Sequence, residues 1–299
     1  MKKFASLLLS GALTVGLLAG CAGGTSATPT PSSTANGDWI GPADTTAPTE
    51  SVTADLTGTT LKVGASPAPH AEILEVVKDL LAEEGITLEI VEFDDYILPN
   101  QAVEDGSLDA NYFQHITYMN NFNVEYGTHL ASAAEVHYEP FGIYAGKTAS
   151  LDELQDGAQI AVPNDTTNEG RALLLLQEQG LITLAEDCGL EPTKDDITEN
   201  PHNYEIVELE AKLLPTTLQD VDIAVINGNY AIDAGLKVSD ALAIESADGT
   251  AATAYVNVLA VKEDRVDDPA IQALAKALCS QEVKDFIDQT YEGAVVAVF

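Results

Sequence analysis

Basic residues are scarce in this chain. Lys and Arg total 13 against 48 Asp and Glu, a formal net charge of −35 over 299 residues, and Arg171 and Arg265 are the only arginines. Phosphate backbones and anionic headgroups repel so acidic a chain, which excludes a nucleic-acid partner. The acidity itself reads as a solvated surface and names no activity. Cysteine is nearly absent: Cys21, Cys188 and Cys279 are too few for a disulfide framework, and no Cys-x-x-Cys occurs. Cys188 and Cys279 are read as free thiols. The histidines, His70, His115, His129, His137 and His202, show no metal-ligand pairing such as His-x-x-x-His, so neither a metal nor a cofactor is expected. The chain also lacks a Gly-x-Ser-x-Gly elbow, a P-loop and a Gly-x-Gly-x-x-Gly after a strand. Adjacent carboxylates such as Asp94-Asp95 are expected by chance in this composition. No enzyme is expected.

What is present begins with an address. Lys2 and Lys3 precede an apolar stretch from Phe4 to Leu18, which ends in Leu18-Ala19-Gly20-Cys21. A membrane span needs roughly 20 predominantly apolar residues, so this shorter stretch reads as a secretory signal. The tetrapeptide resembles a bacterial lipobox, which makes Cys21 the lipidated first residue of the mature protein. Acyl chains anchor because each buried methylene contributes about 0.8 kcal/mol. From Ala22 to about Gly58 the chain is rich in Ser, Thr, Ala, Pro and Gly and holds the only tryptophan, Trp39. Such a segment buries too little apolar surface to offset its ordering entropy and reads as a tether.

Beyond it, short apolar runs alternate with helical spacing. Strands are expected at Leu61–Ala65, Thr87–Phe93 and Leu108–Phe113, with helices at Ala71–Glu84 and Pro99–Asp105. A second unit repeats the pattern: strands at Gln159–Val162, Tyr204–Leu209 and Ile223–Ile226, helices at Thr167–Gln179 and Leu213–Leu218. The C-terminal part supplies a strand at Val256–Val261 and helices at Pro269–Leu278 and Glu282–Tyr291, and is expected to return to the first lobe. This alternation predicts an α/β fold with parallel sheets in two lobes. The expected hinge has two crossings, near Pro140–Tyr144 and Ala251–Asn257. The boundaries are then 1–20 for the signal, 21–58 for the lipidated cysteine and linker, 59–142 plus 252–299 for lobe 1, and 143–251 for lobe 2. Ligands of such folds bind in the cleft at the carboxyl ends of strands.

Several runs resemble one family, the methionine-binding lipoproteins of methionine ABC importers. They include Val91-Glu92-Phe93-Asp94-Asp95-Tyr96, Asp109-Ala110-Asn111-Tyr112-Phe113-Gln114-His115, Thr167-Asn168-Glu169-Gly170-Arg171, Ala224-Val225-Ile226-Asn227-Gly228-Asn229-Tyr230 and Tyr255-Val256-Asn257. The resemblance spans Leu61 to Phe299. It implies a bilobal, periplasmic-binding-protein-like fold that holds a free amino acid between its lobes. It also implies an ABC permease and ATPase as partners, and a lipid-anchored location on the extracytoplasmic face of the cell membrane.

A zwitterion taken out of water needs both charges paired. Arg171 is the expected carboxylate clamp, because guanidinium offers a planar donor fork; the alternative is a surface arginine on its helix. Asn227 closes the buried strand and its amide suits an amino-acid backbone, or it is a turn residue with local hydrogen bonds. Asn229 and Asn257 join it, and Asn168 either supports the loop before Arg171 or caps the helix. A thioether calls for an aromatic surround, supplied by Tyr96, Phe113 and His115, with Tyr118 beside them. Phe113 reads equally as core, and His115 equally as a structural histidine. L-methionine is the expected ligand. D-methionine, a methionine derivative or a methionine-containing dipeptide stays open, as does an adhesive surface lipoprotein.

Overall fold

The computed structural model describes residues 55–246 and 253–299. The signal sequence, Cys21, Trp39, nearly all of the tether and part of the second expected crossing lie outside the described residues.

The strands run in chain order as β1 (Thr60–Ala65), β2 (Thr87–Glu92), β3 (Ala110–His115), β4 (Leu130–Tyr138), β5 (Gly142–Ala145), β6 (Gln159–Pro163) and β7 (Thr183–Leu184). They continue as β8 (Ile197–Glu199), β9 (Glu205–Leu209), β10 (Ile223–Ile226), β11 (Ala243–Ile244), β12 (Val256–Lys262) and β13 (Val296–Ala297). The helices used below are α1 (Glu72–Glu83), α2 (Leu98–Glu104), α3 (Ile116–Tyr126), α4 (Thr166–Glu178), α5 (Leu214–Thr217), α6 (Gly228–Asp233), α7 (Pro269–Leu278) and α8 (Gln281–Thr290).

One sheet has the order β13-β4-β12-β3-β1-β2 and a second the order β11-β5-β10-β6-β9; β7 and β8 form a separate hairpin. The sheets are mixed, where the sequence pattern predicted parallel ones. Strands joined through helices are indeed parallel, β1 with β2 and β3, and β6 with β9 and β10. β12, however, enters between β3 and β4 antiparallel to both, and β5 pairs antiparallel with β10. Direction is lost to a local reading because the partners of β12 and β5 come from distant sequence. The chain leaves the first sheet at Tyr138 and joins the second at Gly142, over residues 139–141, and comes back between β11 and β12.

Helix α1 buries Ile73, Leu74, Val77 and Leu81, a stripe that packs on β1 and on α7 and α8. Helix α4 places Leu173 and Leu176 against Ile160, Val162, Ile223 and Val225 of the second sheet. Each such fully buried side chain contributes roughly 1.5–3 kcal/mol, so the two sheets are anchored by separate cores. The parallel strands β3, β6 and β10 all direct their carboxyl ends to the space between the sheets. Among the described residues no helix is long and apolar enough to cross a membrane.

Candidate functional site

Between the sheets lies a narrow cavity lined by Tyr96, Phe113, Gln114, His115, Tyr118, Glu139, Asn168, Arg171, Asn227, Gly228, Asn229 and Asn257. Every ligand residue expected from the sequence within the folded part is on its wall. A wider, more open cavity of about 320 Å³ adjoins it, and Tyr96 and Tyr118 line both.

The polar end of the wall is built by α4 and by the turn after β10. Asp165 caps α4, accepting from the Asn168 backbone N–H (3.0 Å), and its carboxylate also accepts from Asn168 Nδ2 (2.9 and 3.1 Å). The capping and loop-support roles anticipated for Asn168 are thus one arrangement. With its amide nitrogen on Asp165, Asn168 must present Oδ1 to the cavity side. That oxygen accepts from Asn227 Nδ2 (2.8 Å) and faces His115 Nε2 (3.2 Å). Asn227 Oδ1 is then left buried without a hydrogen-bond partner. The same logic fixes His115. Its Nδ1 accepts from the Tyr118 backbone N–H (3.0 Å) at the start of α3, so the proton sits on Nε2. Burial, and then the nearby Arg171 charge, push its pKa down to about 3, so the ring is neutral. Its lone pair is spent on a helix cap, which removes it as a general base.

Arg171 lies one turn beyond Asn168 on the same helix face and is almost fully buried. Two of its three guanidinium nitrogens are already engaged within the protein. Nε donates to both carboxylate oxygens of Glu245 (3.1 and 3.0 Å) and Nη2 to Oε2 (2.5 Å). Nη2 also donates to the Glu139 carbonyl (2.8 Å). The guanidinium packs on Tyr255 (4.3 Å to the ring centroid) and Phe141 (4.8 Å). Burial works against its charge, and Glu245 more than offsets this, holding the pKa above its usual value.

Glu139, in the crossing between the sheets, is buried and faces the cavity. His137 Nε2 lies 2.7 Å and His70 Nε2 3.4 Å from its Oε1. His70 Nε2 is also 3.0 Å from Asn257 Oδ1, and Tyr112 bonds His137 Nδ1 through its hydroxyl. Burial holds His70 at about 4 and His137 at about 3, so both are neutral, and burial pushes Glu139 upward. These three residues are the group among the described residues whose donor atoms converge as metal ligands could, within 4.8 Å of one another. Nε2 of each ring faces an oxygen acceptor, and His70 Nδ1 is buried without a hydrogen-bond partner.

The other end of the cavity is aromatic. The rings of Tyr96, Phe113 and Tyr118 stand 5.7 to 6.2 Å apart and pack with Phe122. Tyr96 donates to Asn229 Oδ1 (2.6 Å), Tyr118 to the Tyr96 carbonyl (3.0 Å) and Tyr230 to the Asp94 carbonyl (2.9 Å). Burial pushes the Tyr96 and Tyr118 phenols well up, so both stay protonated donors.

Sequence reasoning missed Glu139, Glu245, Gln114 and Gly228. Acidic residues are so common in this chain that Glu139 and Glu245 carried no signal. Gly228 follows the buried strand β10 directly, and a Cβ there would stand 2.7 Å from Glu139 Cβ and Oε2.

The model of the family described as NlpA lipoprotein matches residues 61–299. A D-methionine-binding lipoprotein, MetQ, of Salmonella typhimurium is 42% identical over 240 residues, 79% of this chain and 87% of its own. A membrane lipoprotein of Treponema pallidum is 41% identical over 239 residues, 80% and 88% of the two chains. Among solved structures, a lipoprotein from Ruminococcus gnavus aligns with a TM-score of 0.80 at 55% identity, covering 81% of this chain and all of its own (100%). A nutrient-binding protein from Burkholderia cenocepacia, solved bound to methionine, aligns at 0.77 and 43%, covering 80% and 100%. The two-sheet, bilobal architecture is shared with these binding proteins. Sequence and fold agree, and this chain belongs to the NlpA lipoprotein family.

Proposed function

We propose that this protein captures methionine in the cavity between its sheets and delivers it to an ABC importer, without chemical turnover. The observation that carries this reading is the polarity of one small cavity, polar at one end and aromatic at the other. At the polar end Arg171 and the Asn257 amide supply donors for a carboxylate, and Asn227 Oδ1 is an unused acceptor for an ammonium. At the other end Tyr96, Phe113 and Tyr118 form the surround that a polarizable thioether favours. Relatives named for methionine, and one solved with it bound, support the same ligand.

The rest of the reading follows from this role. The lobes are 59–142 plus 252–299 and 143–251, and they close on the ligand across the Glu139–Phe141 crossing. A permease and a cytoplasmic ATPase receive it, and lipidated Cys21 holds the protein at the extracytoplasmic face of the membrane. The test is to denature the purified protein and identify the released small molecules by mass spectrometry. Near-stoichiometric methionine is expected. A methionine dipeptide or D-methionine changes the substrate within the same mechanism, whereas an empty protein that also ignores methionine in calorimetry refutes the assignment.

A further inference from the structure

We propose that Glu139, acting with Asn227, is the receptor for the ligand's α-ammonium group, so that a free primary amine is the feature this cavity selects. The inference rests on the amino-acid reading above and names the residue that decides its specificity.

A charge inventory of the cavity leads to it. Arg171 and Glu245 cancel each other in a buried pair. His115, His70 and His137 are neutral, each with a tautomer fixed by its partners. Glu139 is the remaining carboxylate on the cavity wall and the one without a cationic partner of its own. Its Oε1 receives His137 Nε2 at 2.7 Å, while His70 Nε2, 3.4 Å away, gives its N–H to Asn257 Oδ1 (3.0 Å). Both rings are neutral. They leave most of the roughly four acceptor sites on the carboxylate open and its charge uncompensated. A buried carboxylate in that condition is costly until a cation joins it.

The position also matches a zwitterion. Arg171 Nη2 donates to the main-chain oxygen of Glu139 (2.8 Å), so the receptors for the two charged ends sit side by side. Asn227 Oδ1, buried and unpartnered, faces the same cavity, and neighbouring Gly228 packs directly on Glu139. An ammonium carries three donors, and Glu139 with Asn227 Oδ1 offers acceptors for two of them. An acylated nitrogen is neutral and bulkier, and meets neither requirement.

The experiment is calorimetry on the full chain in detergent, stripped of bound ligand, with three probes. They are methionine, N-acetylmethionine, and 4-(methylthio)butanoate, which lacks only the amine. In wild-type protein both analogues should bind about 30-fold or more weaker than methionine, the order expected when one partner of a buried charge pair is removed. Glu139→Gln should weaken methionine while sparing 4-(methylthio)butanoate, so that their affinity ratio collapses. A purely structural role for Glu139 would weaken both alike and leave the ratio unchanged, which overturns the assignment. Should that variant fail to fold, the wild-type series decides: 4-(methylthio)butanoate binding as tightly as methionine overturns it. Wild-type protein that binds none of the three overturns the methionine reading, and this assignment with it.

Discussion

Breaking the Arg171–Glu245 pair from one side should cost the fold more than removing it whole. The perturbations are Arg171→Met, Glu245→Gln and the double variant. Both side chains are buried, and they meet through two guanidinium nitrogens rather than one. Leaving one member of a buried ion pair alone costs about 3–5 kcal/mol, because the surviving charge keeps its desolvation penalty. In Arg171→Met the Glu245 carboxylate retains the Tyr138 hydroxyl (2.6 Å) and the Phe141 N–H (3.4 Å). That holds the loss near the lower end, about 3 kcal/mol. In Glu245→Gln the guanidinium retains the Glu139 carbonyl and the faces of Tyr255, Phe141 and Tyr138. Cation–π contacts of about 0.5–2 kcal/mol each make a similar loss reasonable. The double variant strands no charge, so it should fall short of the sum by about 2 kcal/mol or more. A fold of this size shifts by about 2–4 °C per kcal/mol, so each single variant should melt about 10 °C lower. Urea unfolding and thermal melts of all four proteins give the cycle. Single losses below about 1 kcal/mol that simply add would refute the reasoning, because that is how a solvated surface pair behaves.

Acid should weaken the fold before its surface carboxylates titrate. His70, His115 and His137 are held by burial at about 4, 3 and 3, so above pH 6.5 folded and unfolded chains bind the same protons there. Below it only the unfolded chain takes them up, and stability falls as pH drops towards the folded values. Between pH 7 and 5.5 this amounts to about 1.2 kcal/mol per histidine, about 3.5 kcal/mol in all. The raised Glu139 and Asp165 oppose the trend, as does Glu169, which burial pushes up to about 7 and so into this interval, and together they trim that figure; a Tm that rises over this interval contradicts it. Gly228→Ala puts a methyl 2.7 Å from Glu139, and overpacking of this kind costs about 1–3 kcal/mol. Methionine titration of that variant should show weakened binding, and unchanged affinity would show that the turn yields freely. Cys21→Ser should free the protein from the membrane fraction, and continued lipid labelling of the variant would remove the lipobox.

Much of the architecture was legible because it is written locally. The Ile73, Leu74, Val77 and Leu81 stripe and the apolar Ile223–Ile226 run announce a helix and a buried strand, and both are found. What was not legible depends on contacts far apart in sequence. β12 sits between β3 and β4 because Asn257 pairs with His115 and with His137, a register no local pattern encodes. α3 and β4 were not anticipated: α3 is capped by a histidine side chain, and β4 has a run of only partly buried small residues that gives little alternation. At the site, Arg171 stood out through the family resemblance and because arginine is rare, and Asn227 because it follows a buried strand. Glu139 and Glu245 were lost among the other acidic residues, and only burial distinguishes them.

The tyrosines between the two cavities bear on time rather than on affinity. A molecule leaving the inner cavity for the outer one passes Tyr96 and Tyr118, which line both. Tyr96 is tied to Asn229, and Tyr230 to Asp94, so each bond joins residues packed with different sheets. Departure must wait for those bonds to part together. Residence time is then set by the opening rate, and changes at these hydroxyls should appear mainly in the dissociation rate. For a protein that must hold its cargo while it searches for a membrane partner, the length of that wait matters as much as the strength of the grip.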